Sequence, residues 1–108
     1  MAKSVYINGR WMDGKDDWFE KTNPATGETS WSGQASSADQ VTDAVAAARA
    51  VQTKWARRPQ HDRTTILETY AEEVKKRADE IANAISIDMG KTAWEAKAEA
   101  GAMAGKVA

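Results

Sequence analysis

Few side chains in this sequence of 108 residues stand where they could do chemistry together. There is no cysteine, which excludes disulfides, thiolate metal sites and a thiol nucleophile. His61 is the only histidine. Alone, it lacks the partners that a metal site or a nucleophile–base triad requires, so beside Pro59 and Asp62 it reads as a surface residue at a helix start. Glu72-Glu73 and Asp79-Glu80 are paired acids, but neighbours on a helix face apart. With Lys75, Lys76 and Arg77 around them they read as a solvated face. Met89-Gly90-Lys91-Thr92 ends like a phosphate-binding loop, yet position 85, where that loop needs another glycine, is Ile85. Asp88 is placed differently. It stands just before the Gly90 break, where a carboxylate can face the loop around Lys21-Thr22-Asn23. A carboxylate with backbone carbonyls is a hard-oxygen set suited to an alkali or alkaline-earth cation.

The elements that must position these groups change character along the chain. Val5, Ile7 and Trp11 flank Asn8-Gly9, a strong hairpin signal, and Asp13-Gly14-Lys15-Asp16 is a second break before Trp18-Phe19-Glu20-Lys21. Pro24 fixes its own φ and Gly27 tolerates positive φ, so Asn23 to Gly27 is a turn, with Thr29-Ser30-Trp31 returning from it. Residues 5–31 are therefore expected to be a β-hairpin region. From Ser36 the period becomes helical. Ser37 with Gln40 forms a capping box that opens a helix over 36–57, with Val41, Ala44/Val45, Ala48, Val51 and Trp55 on one face. Pro59 ends it. A second helix is expected over 60–88, striped by Ile66/Leu67, Tyr70, Val74, Ala78, Ile81 and Ile85. Thr92 with Glu95 is another capping box, opening a third helix over 92–108. That helix is expected to run on beyond Ala108. Its small-residue surface (Ala100, Gly101, Ala102, Ala104, Gly105) would pack on an element that these residues do not encode. The five tryptophans (Trp11, Trp18, Trp31, Trp55, Trp94) are expected to be packing residues.

Fifteen Lys+Arg against sixteen Asp+Glu leave a formal charge of −1, without the basic footprint of a nucleic-acid binder. The opening residues Met1-Ala2-Lys3-Ser4 lead into a strand, not a long apolar run, so no signal peptide and no membrane span are expected. A cytoplasmic protein is the plain reading.

Tyr6-Ile7-Asn8-Gly9-x-Trp11, Asn23-Pro24-Ala25-Thr26-Gly27-Glu28, the Arg63-to-Tyr70 segment and Asp88-x-Gly90-Lys91 with Glu95-Ala96, in this order, resemble the N-terminal end of the NAD(P)-dependent aldehyde dehydrogenases. The resemblance implies an α/β parent with a Rossmann-type cofactor domain. Residues 1–108 would be the N-terminal part of that domain, a β-hairpin followed by three α-helices. It implies oxidation of an aldehyde to its acid with NAD or NADP, through a cysteine, a glutamate and an asparagine that all lie outside this stretch. Catalytic and cofactor-binding residues are thus expected to be absent, and the segment alone inactive. The phrase Gly90-Lys91-x-x-Trp94-Glu95-Ala96 is similar to the branch acting on succinylglutamic semialdehyde in arginine breakdown. The family's monovalent-cation site, for potassium or sodium, resembles the backbone carbonyls of Lys21 and Thr22 with Asp88. The partners implied are the aldehyde substrate, the rest of the subunit and further copies in a homo-oligomer, with no nucleic acid and no membrane. The contrasting reading is a small non-catalytic interaction protein that uses its helical Ala/Gly face. Met89 and Thr92 depart from the family's usual threonine and proline; threonine suits a cap position as proline suits the first helical turn.

Overall fold

Asn8 and Gly9 both take positive φ, 50° and 77°, the backbone that a two-residue hairpin loop demands. The computed structural model describes residues 3–107. The loop joins β1 (Val5–Ile7) to β2 (Arg10–Met12), antiparallel, with Val5 opposite Met12, Tyr6 opposite Trp11 and Ile7 opposite Arg10. A second two-stranded sheet pairs β3 (Trp18–Thr22) with β4 (Thr29–Gln34). Four helices follow: α1 (Ala38–Ala56), α2 (Gln60–Lys76), α3 (Ala78–Met89) and α4 (Ala93–Gly105). The chain divides into two compact units. The first holds the chain up to Lys21 together with Thr29–Arg57; the second holds Thr22–Glu28 and the chain from Arg58 onward.

In the first unit, Gln40 joins the Asp13-Gly14-Lys15 break to the start of α1. Its side-chain oxygen accepts from the backbone N–H of Lys15 (3.0 Å) and of Ser37 (3.1 Å), and its amide donates to the Asp13 carbonyl (2.9 Å). The Ser37–Gln40 capping box forms as expected. Gln40 is almost fully buried, and all of these bonds offset the cost of burying its amide. Gly14 lies against the Gln34 and Ala35 carbonyls, where a Cβ would land on both oxygens. Tyr6 packs on Trp11 with tilted rings, centroids 5.0 Å apart, and Phe19 on Trp31 likewise at 4.9 Å.

In the second unit, the expected helix over 60–88 is two helices. Arg77 leaves helical geometry (φ −103°, ψ 15°) without any glycine or proline nearby. The reason is electrostatic as well as geometric. Lys75 and Lys76 close α2 and Asp79 and Glu80 open α3, each set at the helix end whose partial charge favours it. The Arg77 guanidinium then holds both Glu80 oxygens, at 2.8 and 2.7 Å. Gly90 ends α3 in the left-handed conformation (φ 67°), as expected of the break. Thr92 donates through its hydroxyl to the Glu95 carboxylate (2.8 Å) at the start of α4.

Two packing expectations need correction. First, α4 stops at Gly105, capped by Lys106, and Val107 returns onto the core. Its alanines do not await an outside element: Ala96 and Ala100 pack with Ala82, Ile81 and Ile85, and Ala104 with Ala71, Val74 and Ile81. Alanine every fourth residue lets α4 approach α2 and α3 closely, which larger residues would prevent. Only Gly101, Ala102 and Gly105 of the small-residue surface stay exposed, and so do Ala98 and Met103. Second, the tryptophans are not core. Trp11, Trp18, Trp55 and Trp94 are exposed and Trp31 is half-buried. The apolar stripes behave alike: Val41, Val45 and Val51 of α1 and Ile66, Leu67 and Tyr70 of α2 face outward. The buried hydrophobic residues are alanines and valines, too small a core to cover these aromatic and aliphatic groups.

Candidate functional site

Asp88 lies half-buried in the last turn of α3. A carboxylate there adds to the partial negative charge of the helix's final carbonyls. No basic residue stands in the last turn of α3. The loop that follows is fixed. Gly90 donates its N–H to the Ser86 carbonyl (2.9 Å), and Ser86 Oγ donates to the Lys91 carbonyl (2.8 Å).

The turn between β3 and β4 is seated against this loop, within the same unit. A Cβ on Gly90 would come 2.9 Å from Pro24 Cγ and 3.2 Å from the Ala25 nitrogen. Glycine is therefore needed at 90 twice over, for its positive φ and for this close approach. The turn is itself held from inside: Asn23 Oδ1 accepts from Ala25 N–H (2.9 Å), Gly27 N–H donates to the Asn23 carbonyl (2.8 Å), and Asn23 N–H donates to the Glu28 carbonyl (2.8 Å). Thr22, which leads into the turn, thus shares a unit with Asp88. Lys21 falls in the first unit, where its carbonyl accepts from Ser30 Oγ (3.1 Å). Among the described residues no group of three or more His, Cys, Asp or Glu side chains could hold a metal ion. A ligand set at Asp88 would thus carry one charge, with carbonyls as its other donors. That suits a monovalent cation better than a divalent or soft one.

The remaining candidates are solvated, as read from their spacing. His61 is exposed in the first turn of α2. Glu72 pairs with Lys75 (2.6 Å) and Glu73 with Lys76 (2.7 Å), all with exposed side chains. The Lys75 hydrogen bond holds the Glu72 carboxyl below its ordinary pKa, and Glu73 raises that of Lys76. Lys91, raised likewise, is paired with Glu99 of α4. One group escaped the sequence reading: Arg63 Nε is buried and finds no hydrogen-bond partner among the described residues. Its only signal was a cation standing three residues before the apolar pair Ile66-Leu67. The Cβ directions of Gly14, Gly33 and Gly90 are filled by the chain's own atoms, and no closely spaced glycine loop precedes a helix.

The profile of the aldehyde dehydrogenase family matches residues 11–108. The chain belongs to the aldehyde dehydrogenase family. As a member of it, the chain is 44% identical over 106 residues to an N-succinylglutamate 5-semialdehyde dehydrogenase of Chromohalobacter salexigens, covering 98% of this chain and 22% of the relative. It is 43% identical over 105 residues to the enzyme of that name from Pseudomonas fluorescens, covering 97% of this chain and 22% of the relative. Among solved structures it superposes with TM-score 0.90 and 26% identity on an NADP-dependent glyceraldehyde-3-phosphate dehydrogenase from Bacillus halodurans in complex with NADP, over 97% of this chain and 22% of that one. The chain thus spans about a fifth of the length of the relatives it matches. No helix among the described residues is long and apolar enough to cross a membrane.

Proposed function

We propose that this chain is the opening scaffold of an NAD(P)-dependent aldehyde dehydrogenase subunit that oxidises N-succinylglutamate 5-semialdehyde to its acid in arginine catabolism. The observation that carries the reading is the 43–44% identity, along nearly the whole chain, to two dehydrogenases named for that semialdehyde. The thiolate then falls to the remaining length of the subunit, because this stretch has no cysteine, and the general base and the dinucleotide contacts are placed there with it. The NADP complex of the Bacillus halodurans relative supports a nicotinamide cofactor without choosing between NAD and NADP. A cytoplasmic homo-oligomer belongs to the same reading. Reading the gene past codon 108 tests it: an open frame carrying a cysteine in a Gly-Gln-x-Cys context supports the proposal, and a stop codon defeats it.

A monovalent cation belongs to the proposal too. Asp88 and the Thr22 carbonyl, which share the second unit, would be ligands. What supports this is a carboxylate in the last turn of α3, in the same unit as Thr22, in a set whose other donors would be neutral carbonyls. In the full-length protein, Asp88→Ala is expected to abolish the dependence of the melting temperature on potassium or sodium, since a ligand that binds only the folded form stabilises it by mass action. Wild-type and variant melting curves that respond alike to a potassium titration would remove the assignment.

A further inference from the structure

Of the three asparagines in this chain, Asn8, Asn23 and Asn83, one stands where its side-chain amide can react with its own backbone. Closing a five-membered imide needs an asparagine followed by a backbone nitrogen that carries a hydrogen and is uncrowded. Pro24 follows Asn23, and its nitrogen has no hydrogen to give up. Asn83 lies inside α3, where the N–H of Ala84 belongs to the helical ladder. Gly9 follows Asn8, has no Cβ to crowd its nitrogen, and is exposed together with Asn8 and Arg10. A Cβ built on Gly9 would meet nothing within 4 Å.

The closed turn holds this ring closure off. In the imide, the Gly9 nitrogen and Asn8 Cβ are eclipsed about the Asn8 Cα–C bond. Asn8 has φ 50°. A non-glycine residue in that left-handed region has ψ of about +47°, which sets the two atoms nearly opposite each other. Attack therefore requires the loop to open. Little resists opening: β1 and β2 meet through three residue pairs, of which Ile7 with Arg10 closes the loop. A two-stranded ribbon this short is marginal by itself. Val5, the fully buried residue of β1, lies at the end away from the loop. Local opening of such a segment costs far less than global unfolding.

We propose that Asn8-Gly9 is a site of spontaneous deamidation, gated by opening of the β1–β2 hairpin. In the opened loop, solvent base takes the Gly9 N–H proton and the nitrogen bonds to Asn8 Cγ. The bond from Cγ to Nδ2 breaks and ammonia leaves, giving a cyclic imide. Water then opens one of the two imide C–N bonds, with no oxidant or reductant involved. Opening at Cγ restores the ordinary backbone with an aspartate at position 8. Opening at the main-chain carbonyl leaves an isoaspartate, whose backbone runs through Cβ and is one atom longer. Aspartate tolerates the left-handed turn much as asparagine does. The extra atom of isoaspartate does not fit a two-residue loop whose length sets the register. Ile7 then loses its place opposite Arg10, and Tyr6 its packing on Trp11.

The test is peptide mass mapping of the full-length protein aged in mildly alkaline buffer, with a synthetic peptide of residues 4–12 aged beside it. The tryptic peptide of residues 4–10 is expected to gain one mass unit, with isoaspartate as well as aspartate among its products. The peptides that carry Asn23 and Asn83 should keep their amides. Conversion should be several-fold slower in the protein than in the synthetic peptide, since only opened hairpins react. Asn8→Gly keeps a two-residue loop and removes the amide. Trypsin should therefore nick aged wild-type protein at Arg10 sooner than fresh protein, and aged Asn8→Gly no sooner than fresh Asn8→Gly. Four results would overturn the proposal: an intact amide at position 8 in the protein while the synthetic peptide converts, equal rates in protein and peptide, conversion of Asn83 ahead of Asn8, or the same acceleration of nicking in the aged variant.

Discussion

Purified by itself, the 108-residue chain is expected to give no NAD(P)-linked oxidation of N-succinylglutamate 5-semialdehyde, or of any other aldehyde, above the buffer blank. The chemistry needs a thiolate to attack the carbonyl carbon, and the chain has no cysteine. His61, an alternative base by residue type, is exposed in the first turn of α2. The loss relative to the full-length protein should therefore be complete and not partial. Formation of reduced cofactor, followed with saturating aldehyde, checks it; turnover by the short chain would contradict the division of labour proposed for the subunit.

The largest effect on stability is expected at Ala100, and its neighbour should respond with the opposite sign. Ala100 is 1% exposed in the seam between α4 and α3. Ala100→Asp would bury a charge with no partner, at a cost of about 3–5 kcal/mol. Gly101 is exposed, and a Cβ there meets nothing within 4 Å. Gly101→Ala should therefore stabilise α4 by about 0.5–1 kcal/mol through helix propensity alone. Denaturant unfolding of the full-length protein measures both. Equal responses at the two positions would show that α4 does not pack with Ala100 inward.

Local chemistry was legible wherever it is written in short-range geometry. Asn8-Gly9, the Ser37–Gln40 and Thr92–Glu95 boxes and the Gly90 stop all form as their residue types dictate, because each needs only its neighbours. The break at Arg77 was missed because it has no glycine or proline. The available signal was the switch from Lys75-Lys76 to Asp79-Glu80. Burial was the least legible property. Periodicity tells which residues share a helix face but not which of two adjacent faces its own unit covers. In α1 the valines and Trp55 were grouped on one face, yet Gln40, a polar residue, is the one buried. At the candidate site, Asp88 was readable as a carboxylate at a helix end. The loop around Lys21 and Thr22 could be named only as a source of backbone carbonyls, and the family resemblance singled out these two residues in it.

The central claim is tested most directly by a panel of aldehydes on the full-length protein, ranked by kcat/KM with NAD and with NADP. N-succinylglutamate 5-semialdehyde carries carboxylates that a site can pair with polar groups, and a site built on such pairing rejects analogues that lack them far more strongly than an apolar pocket does. The account predicts that this semialdehyde leads unsubstituted aliphatic and aromatic aldehydes by roughly a hundredfold or more. A preference for those simple aldehydes would contradict the substrate, and no aldehyde oxidation with either nucleotide would contradict the enzyme.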